Sequence, residues 1–427
     1  MSRWFPGLWR HQEFLKLWGG QTFSIFGSLV GRIALPFLVI YALNATSAQV
    51  AWIRVAEVAP GMLIGLLAGV WVDRLRRRPI MIWADLGRAL LTATIPLALW
   101  FGHLTLLHVM IVGAIISILT VIFDVAYEAY LPTLVESNHV VEANSKLSAT
   151  ASVAEVTGFG IAGALYQLIG GALTLIIDAV SFVVSAVTLA WIRKPEPAPG
   201  NAPSEQESEG SILREAREGL TVLARNPLLL TLVGAGSLGS FFGGIMGTIY
   251  VLYISRDLQV SPAVQGVLYG MGGVSSFIGA ALSQRVLRWL GLGPALVVTG
   301  LLGTIGIALV PAAFGPMWLI LAFIVGQQLL NDGADTINAI HVTSLRMTVT
   351  PNEYLGRVNA TWRVANWLFM LLGTVAAGVL GDRIGLRATF WLAIGVRLVS
   401  WLWLTLSPVR SMREMPAAPE NEEVLAD

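Results

Sequence analysis

Long apolar blocks alternate with short polar breaks along almost the whole chain. Twelve blocks reach the length of about 20 residues that an α-helix needs to cross a bilayer. They run over 15–43, 48–72, 79–101, 104–131, 143–168, 171–192, 227–254, 263–287, 292–313, 316–343, 357–381 and 387–408. Most breaks are short turns holding Gly, Pro, Asn or Ser. The one long break, Arg193 to Asn226, opens as Lys194-Pro-Glu-Pro-Ala-Pro-Gly-Asn-Ala-Pro-Ser-Glu-Gln-Glu-Ser-Glu-Gly. That composition has too little apolar surface to fold by itself. From Ser211 to Arg225 the pattern changes: Ile212, Leu213, Leu220, Val222 and Leu223 alternate with Arg214, Glu215, Arg217 and Glu218. This predicts an amphipathic helix on the membrane surface. The chain therefore reads as an all-α polytopic membrane protein with twelve transmembrane helices in two six-helix halves. Its segments are 1–14 (N-terminal), 15–193 (first half), 194–226 (linker), 227–410 (second half) and 411–427 (tail).

Charge orients the spans. With the N-terminus inside, the termini and loops on the inner side, together with the span ends that adjoin them, hold 20 of the 27 Lys and Arg residues, and those on the outer side hold 3. Basic residues stay on the cytoplasmic side, so both termini are expected there, in a plasma or inner membrane. Composition agrees: 55% of the 427 residues are hydrophobic and 12% charged, against about 25% charged in a soluble domain. A net charge of +1 gives no case for nucleic-acid binding. Cysteine is absent, which removes disulfides and thiolate metal sites. The basic, aromatic start (Arg3, Trp4, Trp9, Arg10) reads as an interfacial segment rather than a cleavable signal. None of the three lysines, Lys16, Lys146 and Lys194, precedes Ser or Thr, so no Walker A loop exists. Neither His-Glu-x-x-His nor Gly-x-Ser-x-Gly occurs. An enzyme is left without a nucleophile or metal site, and no cofactor is expected.

The halves repeat. At a shift of 215, Asn144 meets Asn359, Gly158 meets Gly373, Ala162 meets Ala377, Gly163 meets Gly378, Gly170 meets Gly385 and Ser185 meets Ser400. At 216, Phe26, Gly27 and Gly31 meet Phe242, Gly243 and Gly247. Small residues at such positions let helices approach closely. Two parallel six-span repeats are one way transporters are built, with the substrate site between them.

Between the second and third spans stands Gly69-Val-Trp-Val-Asp73-Arg74-Leu-Arg76-Arg77-Arg78-Pro79. With the repeat, this loop resembles the signature of the major facilitator superfamily. Phe14-Leu-Lys-Leu-Trp-Gly-Gly-Gln-Thr-Phe-Ser-Ile-Phe-Gly-Ser28, Ala34-Leu-Pro36, Ala126-Tyr-Glu-Ala-Tyr-Leu-Pro132, Glu142-Ala-Asn-Ser145, Asp178-Ala-Val-Ser-Phe182 and Arg357-Val-Asn-Ala360 are similar to its macrolide-efflux and enterobactin-exporter-like branch. The resemblance implies alternating access, with spans 1, 4, 7 and 10 lining a cavity. It also implies a gating network of Gly69, Asp73, Arg74, Arg77, Arg78, Arg88 and Arg357, in which Asp73 docks against the start of span 11. The second half has Ser283 where the first has its acid, so this latch is one-sided. Two features depart from many drug–proton antiporters: span 4 has no Arg or Lys, and Gly158-Phe-Gly-Ile-Ala-Gly163 has no proline.

An ionisable side chain in a span marks a pathway, a proton relay or a partner. Asp124 and Glu128 share one face of span 4, and Asp332 and Asp335 share one of span 10. These four, with Glu155, are the proton-coupling candidates. Gln21, Arg32, Gln328 and Asn331 are the substrate-cavity candidates. For Asp124 and Glu128 the competing reading is a salt-bridge network with Arg88 or Arg363. Arg54 with Glu57 and Asp85 with Arg88 are spaced to pair within their helices, while Asp178 and Arg397 sit in outer spans where a structural role is expected. His341 has no second histidine at metal spacing. The expected activity is monomeric secondary transport: proton-coupled export of a hydrophobic or amphipathic small molecule, in contact with membrane lipid. Export of a siderophore-like anionic metabolite is the alternative, with Arg32 as its reason. A lipid flippase or a non-transporting receptor on the same fold comes after these.

Overall fold

The computed structural model describes residues 7–196 and 219–416. The linker 197–218 and the end of the tail lie outside the described residues, as does most of the expected surface helix.

Polar side chains start the helices where the sequence breaks its apolar blocks. His11 accepts the Phe14 N–H to open α1 (Gln12–Tyr41). Thr46 and Gln49 form a reciprocal capping box at α2 (Ser47–Asp73). After α3 (Arg77–Trp100), Thr105 caps α4 (Leu106–Leu134) through the His108 N–H. A continuous stretch, Val140–Ala190, bends at Gly170 into α5 (140–169) and α6 (171–190). Asn226 accepts two N–H groups ahead of Pro227 to begin α7 (Pro227–Arg256). Then follow α8 (Pro262–Leu290), α9 (Leu292–Ala312), α10 (317–349), α11 (Leu355–Ile384) and α12 (Leu386–Leu406). At about 1.5 Å rise per residue, the 30 residues of α1 extend about 45 Å, beyond an apolar bilayer core of about 30 Å. Nine helical stretches among the described residues are long and apolar enough to cross a membrane, one of them holding both α5 and α6.

The sequence repeat reappears in the backbone. Gly170 and Gly385, paired by the 215 shift, take φ of 80° and 84° with ψ of 165° and 161°. Each turns the chain between two helices, α5 to α6 and α11 to α12. A side chain is strained in that left-handed region, so glycine is required. Gly158 of α5 packs on Leu29 of α1, and Gly373 of α11 packs on the Phe241 backbone of α7.

Two compact units result: Met1–Ser204 with Gln259–Gly270, and Glu205–Leu258 with Met271–Asp427. In the first, Gly163 of α5 and Gly266 of α8 meet backbone to backbone, so that a Cβ on Gly163 would lie 3.0 Å from Gly266 Cα. Its apolar core runs through Phe14, Leu17, Met81, Phe123, Tyr130 and Leu189. The second unit has a core around Leu229, Leu232, Leu292, Leu345 and Val358. The described part of the expected surface helix, 219–225, is helical, and its Val222 and Leu223 are buried in that core. Gly219 lies against the Arg357 carbonyl and Thr361 at the start of α11. That part of the segment is thus packed on protein, while Leu220 faces outward.

Candidate functional site

The arginine run after α2 leads directly into α3. Gly69 and Asp73 lie in the final turns of α2, and Arg74 is exposed beyond them. Arg78 turns back: its Nε donates to the Leu189 carbonyl at 2.8 Å and its Nη2 to that of Ala190, at the C-terminal end of α6. Glu196, just past α6, accepts the Arg77 N–H at 2.6 Å and the Arg78 N–H at 3.2 Å. A cation therefore closes the α6 C-terminus and a carboxylate closes the α3 N-terminus, each opposite in sign to the helix-end charge it meets. Glu196 lies outside the sequence motif and was not among the expected gating residues. Nothing in its Pro-rich context marks it as a cap.

Within the first unit Arg88 is enclosed. It bonds to Asp85 one helical turn earlier, and the Phe123 and Phe182 rings cover its guanidinium at 4.3 and 4.5 Å. The expected pairing within α3 is therefore present. Arg88 does not instead bond Asp124 or Glu128; those two acids are exposed on α4, and Arg363 stands over Trp367 at 5.7 Å. Gln21 departs from expectation. As a cavity residue it should be open, yet it is 7% exposed and its Nε2 donates to Ser185 of α6 at 3.3 Å. The amide is turned toward the outer helix because α1 and α6 pack closely through Gly20 and Gly27. Arg32 is exposed, 6.0 Å from the centre of the Phe159 ring. Glu155 is exposed on α5.

In the second unit the polar stretch of span 10 does not form a regular α-helix. Residues Gln328–Asp332 form a π-turn between Met317–Gln327 and Gly333–Val349. Such turns widen a helix and loosen its carbonyls, and they occur often at functional sites. Here α8 satisfies them: Ser275 donates to the Leu329 carbonyl at 2.9 Å and Ser276 to that of Asp332 at 3.4 Å. Thr336 donates to the Asp332 carbonyl at 2.8 Å. Glycines allow the fit, since a Cβ on Gly279 would lie 2.9 Å from Gly333 Cα, and one on Gly306 would lie 2.9 Å from the Asn331 N.

The two acids at the end of this turn meet different neighbours. Asp332 accepts from Asn331 Nδ2 at 2.8 Å and lies beside Gly272 of α8. Asp335 bonds Arg397 of α12 through both carboxylate oxygens, beside Gly303 of α9. Asp332 thus meets α8, while Asp335 meets α9 and α12. Arg397 also stacks on Phe242 at 4.9 Å and bonds Thr304. Asn331 Oδ1 is buried without a hydrogen-bond partner. Gln327 and Gln328 are buried, and Gln327 Oε1 accepts from Tyr250 of α7 at 2.7 Å. His341 is buried with Nε2 3.1 Å from Ser283, so the residue in the second half's acid position holds α8 to α10. Arg357 sits 5.6 Å from the Tyr354 ring. Among the described residues no cluster of His, Asp or Glu is arranged to hold a metal ion.

A polytopic bundle of this kind, with polar groups concealed in otherwise apolar helices, is a multi-pass membrane protein. Residues 17–334 match the Major Facilitator Superfamily, and the chain belongs to that family, whose members are transporters rather than enzymes. It is 24% identical over 413 residues to macrolide efflux protein A of Streptococcus pyogenes, covering 94% of this chain and 97% of that protein. It is 27% identical over 376 residues to the multidrug efflux pump Tap of Mycolicibacterium fortuitum, covering 85% and 88%. The fold resembles the crystal structure of a bacterial homologue of the iron transporter ferroportin in an inward-facing state, with a TM-score of 0.77 at 16% identity, covering 94% and 99%.

Proposed function

We propose that this transporter is an exporter of hydrophobic or amphipathic small molecules, working by alternating access in exchange for protons. It sits in a plasma or inner membrane with both termini cytoplasmic. The observation that carries this reading is the π-turn of α10. It holds Gln328, Asn331 and Asp332 in mid-span, with a buried Asn331 oxygen free to accept a hydrogen bond and a carboxylate without a basic partner on its own helix. The names of the relatives, a macrolide efflux protein and a multidrug pump, support export and a greasy substrate. Arg32 favours the second reading, an anionic siderophore-like metabolite, because it is an exposed cation on α1.

Expression in a pump-deficient host, with and without a protonophore, tests export directly. Resistance and efflux that vanish with the proton gradient are expected. For the coupling group, Asp124→Asn, Glu128→Gln, Glu155→Gln, Asp332→Asn and Asp335→Asn are compared by pH-driven uptake into inverted vesicles. Loss of pH drive in at least one is expected; five variants with wild-type coupling would remove these acids from the mechanism. Arg32→Gln separates the readings, since it should abolish export only of an anionic substrate.

A further inference from the structure

One buried acid has no role in the arrangement so far. Asp178 of α6 is 7% exposed, and its Oδ1 has no hydrogen-bond partner. The other oxygen lies against α1, where a Cβ on Gly31 would collide with it; a Cβ on Gly27 would collide with Ser181 one turn further. The two glycines thus both make room for the acid and seal it from the α1 side.

The charges around Asp178 do not balance. From α3, Arg88 reaches α6 over the Phe182 ring, one turn beyond Asp178. Arg88 is 5% exposed, is bonded to Asp85, and keeps an Nε without a hydrogen-bond partner. Asp85 is fully buried, beside Ser185 of α6. From α4, Phe123 covers Arg88, and Asp124 and Glu128 are exposed. From α1, Arg32 follows Gly31 but is exposed beside Phe159; from α5, Glu155 is exposed. The enclosed group is therefore two carboxyls and one guanidinium. With both carboxyls ionised, one negative charge would be buried without a counter-charge, and a group so placed takes a proton instead.

We propose that Asp178 is a proton-binding site, neutral in the packed contact of α1, α3 and α6, and that it carries one of the coupling protons. In each cycle one proton adds to the Asp178 carboxylate from the outer side and leaves it toward the cytoplasm. Only an O–H bond forms and breaks. The transport part rests on the proton-coupled export proposed above; the protonation part does not.

Infrared difference spectroscopy of the purified, reconstituted full-length protein reads the carboxyl proton without transport. A protonated-carboxyl band at neutral pH is expected in the wild type and should be lost in Asp178→Asn. Asp85→Asn provides the second variant. It removes the competing carboxylate, frees Arg88 to balance Asp178, and should also abolish the band although Asp178 is intact. A band unchanged in Asp178→Asn, or persisting in Asp85→Asn, would overturn the site. In vesicles Asp178→Asn should retain substrate exchange and lose accumulation driven by a pH gradient. Gradient-driven accumulation at the wild-type level would overturn its transport role. Should wild-type export itself ignore the gradient, the coupling role is lost, and the infrared result still decides whether Asp178 binds a proton.

Discussion

A guanidinium within an apolar span needs a counter-charge and a cover, and Arg88 finds the first in Asp85 and the second in two phenyl rings. Replacing Arg88 with Ala leaves Asp85 buried and unpaired. Breaking a buried pair from one side costs about 3–5 kcal/mol, so Arg88→Ala should lower the melting temperature in detergent sharply. Arg88→Lys keeps the charge but loses the planar stacking, and should fall between. The Asp85–Arg88 pair was legible in the sequence because both residues are on one helix, three apart. The Asp335–Arg397 bridge was not, because it joins two helices 62 residues apart, and no local pattern says which outer helix meets α10. The burial of Gln21 against α6 was hidden for the same reason. A polar residue in span 1 suggests a cavity, but its direction depends on how closely Gly20 and Gly27 let α6 approach.

Helices of regular period explain most of this fold, and the exception lies where chemistry is expected. The twelve apolar blocks, their turns and the paired breaks at Gly170 and Gly385 follow from hydropathy and glycine placement. The π-turn does not, since hydropathy reads 316–343 as one unbroken α-helix. Gln327-Gln-Leu-Leu-Asn-Asp-Gly333 is polar enough to mark a site but carries no signal for an added residue. The turn depends on α8, and its clearest support is the Ser275 hydroxyl on the Leu329 carbonyl. Interhelical hydrogen bonds in membranes contribute about 0.6 kcal/mol on average and up to about 1.7 kcal/mol. Ser275→Ala should therefore cost about 1 kcal/mol in unfolding measurements while reducing transport rate more than that loss of folded protein explains. Transport falling only in step with protein abundance would make the turn a packing detail.

Across the molecule, two six-helix halves place the family's loop motif at the end of α2, with Arg78 and Glu196 joining α3 and α6 at one corner. Such a corner lets the loop act as a unit rather than as scattered topogenic charge. Asp73→Asn should insert and fold as the wild type does and yet transport poorly, as read by surface abundance against efflux rate. Normal efflux would leave the loop only its role in orienting the chain. The central claim is coupling of export to protons, and reconstituted liposomes test it most directly. With the purified protein, an imposed pH gradient and a lipophilic cationic dye, the dye should accumulate against its concentration gradient. Accumulation should stop when a protonophore collapses the pH difference. Dye movement equal with and without the gradient would contradict the account.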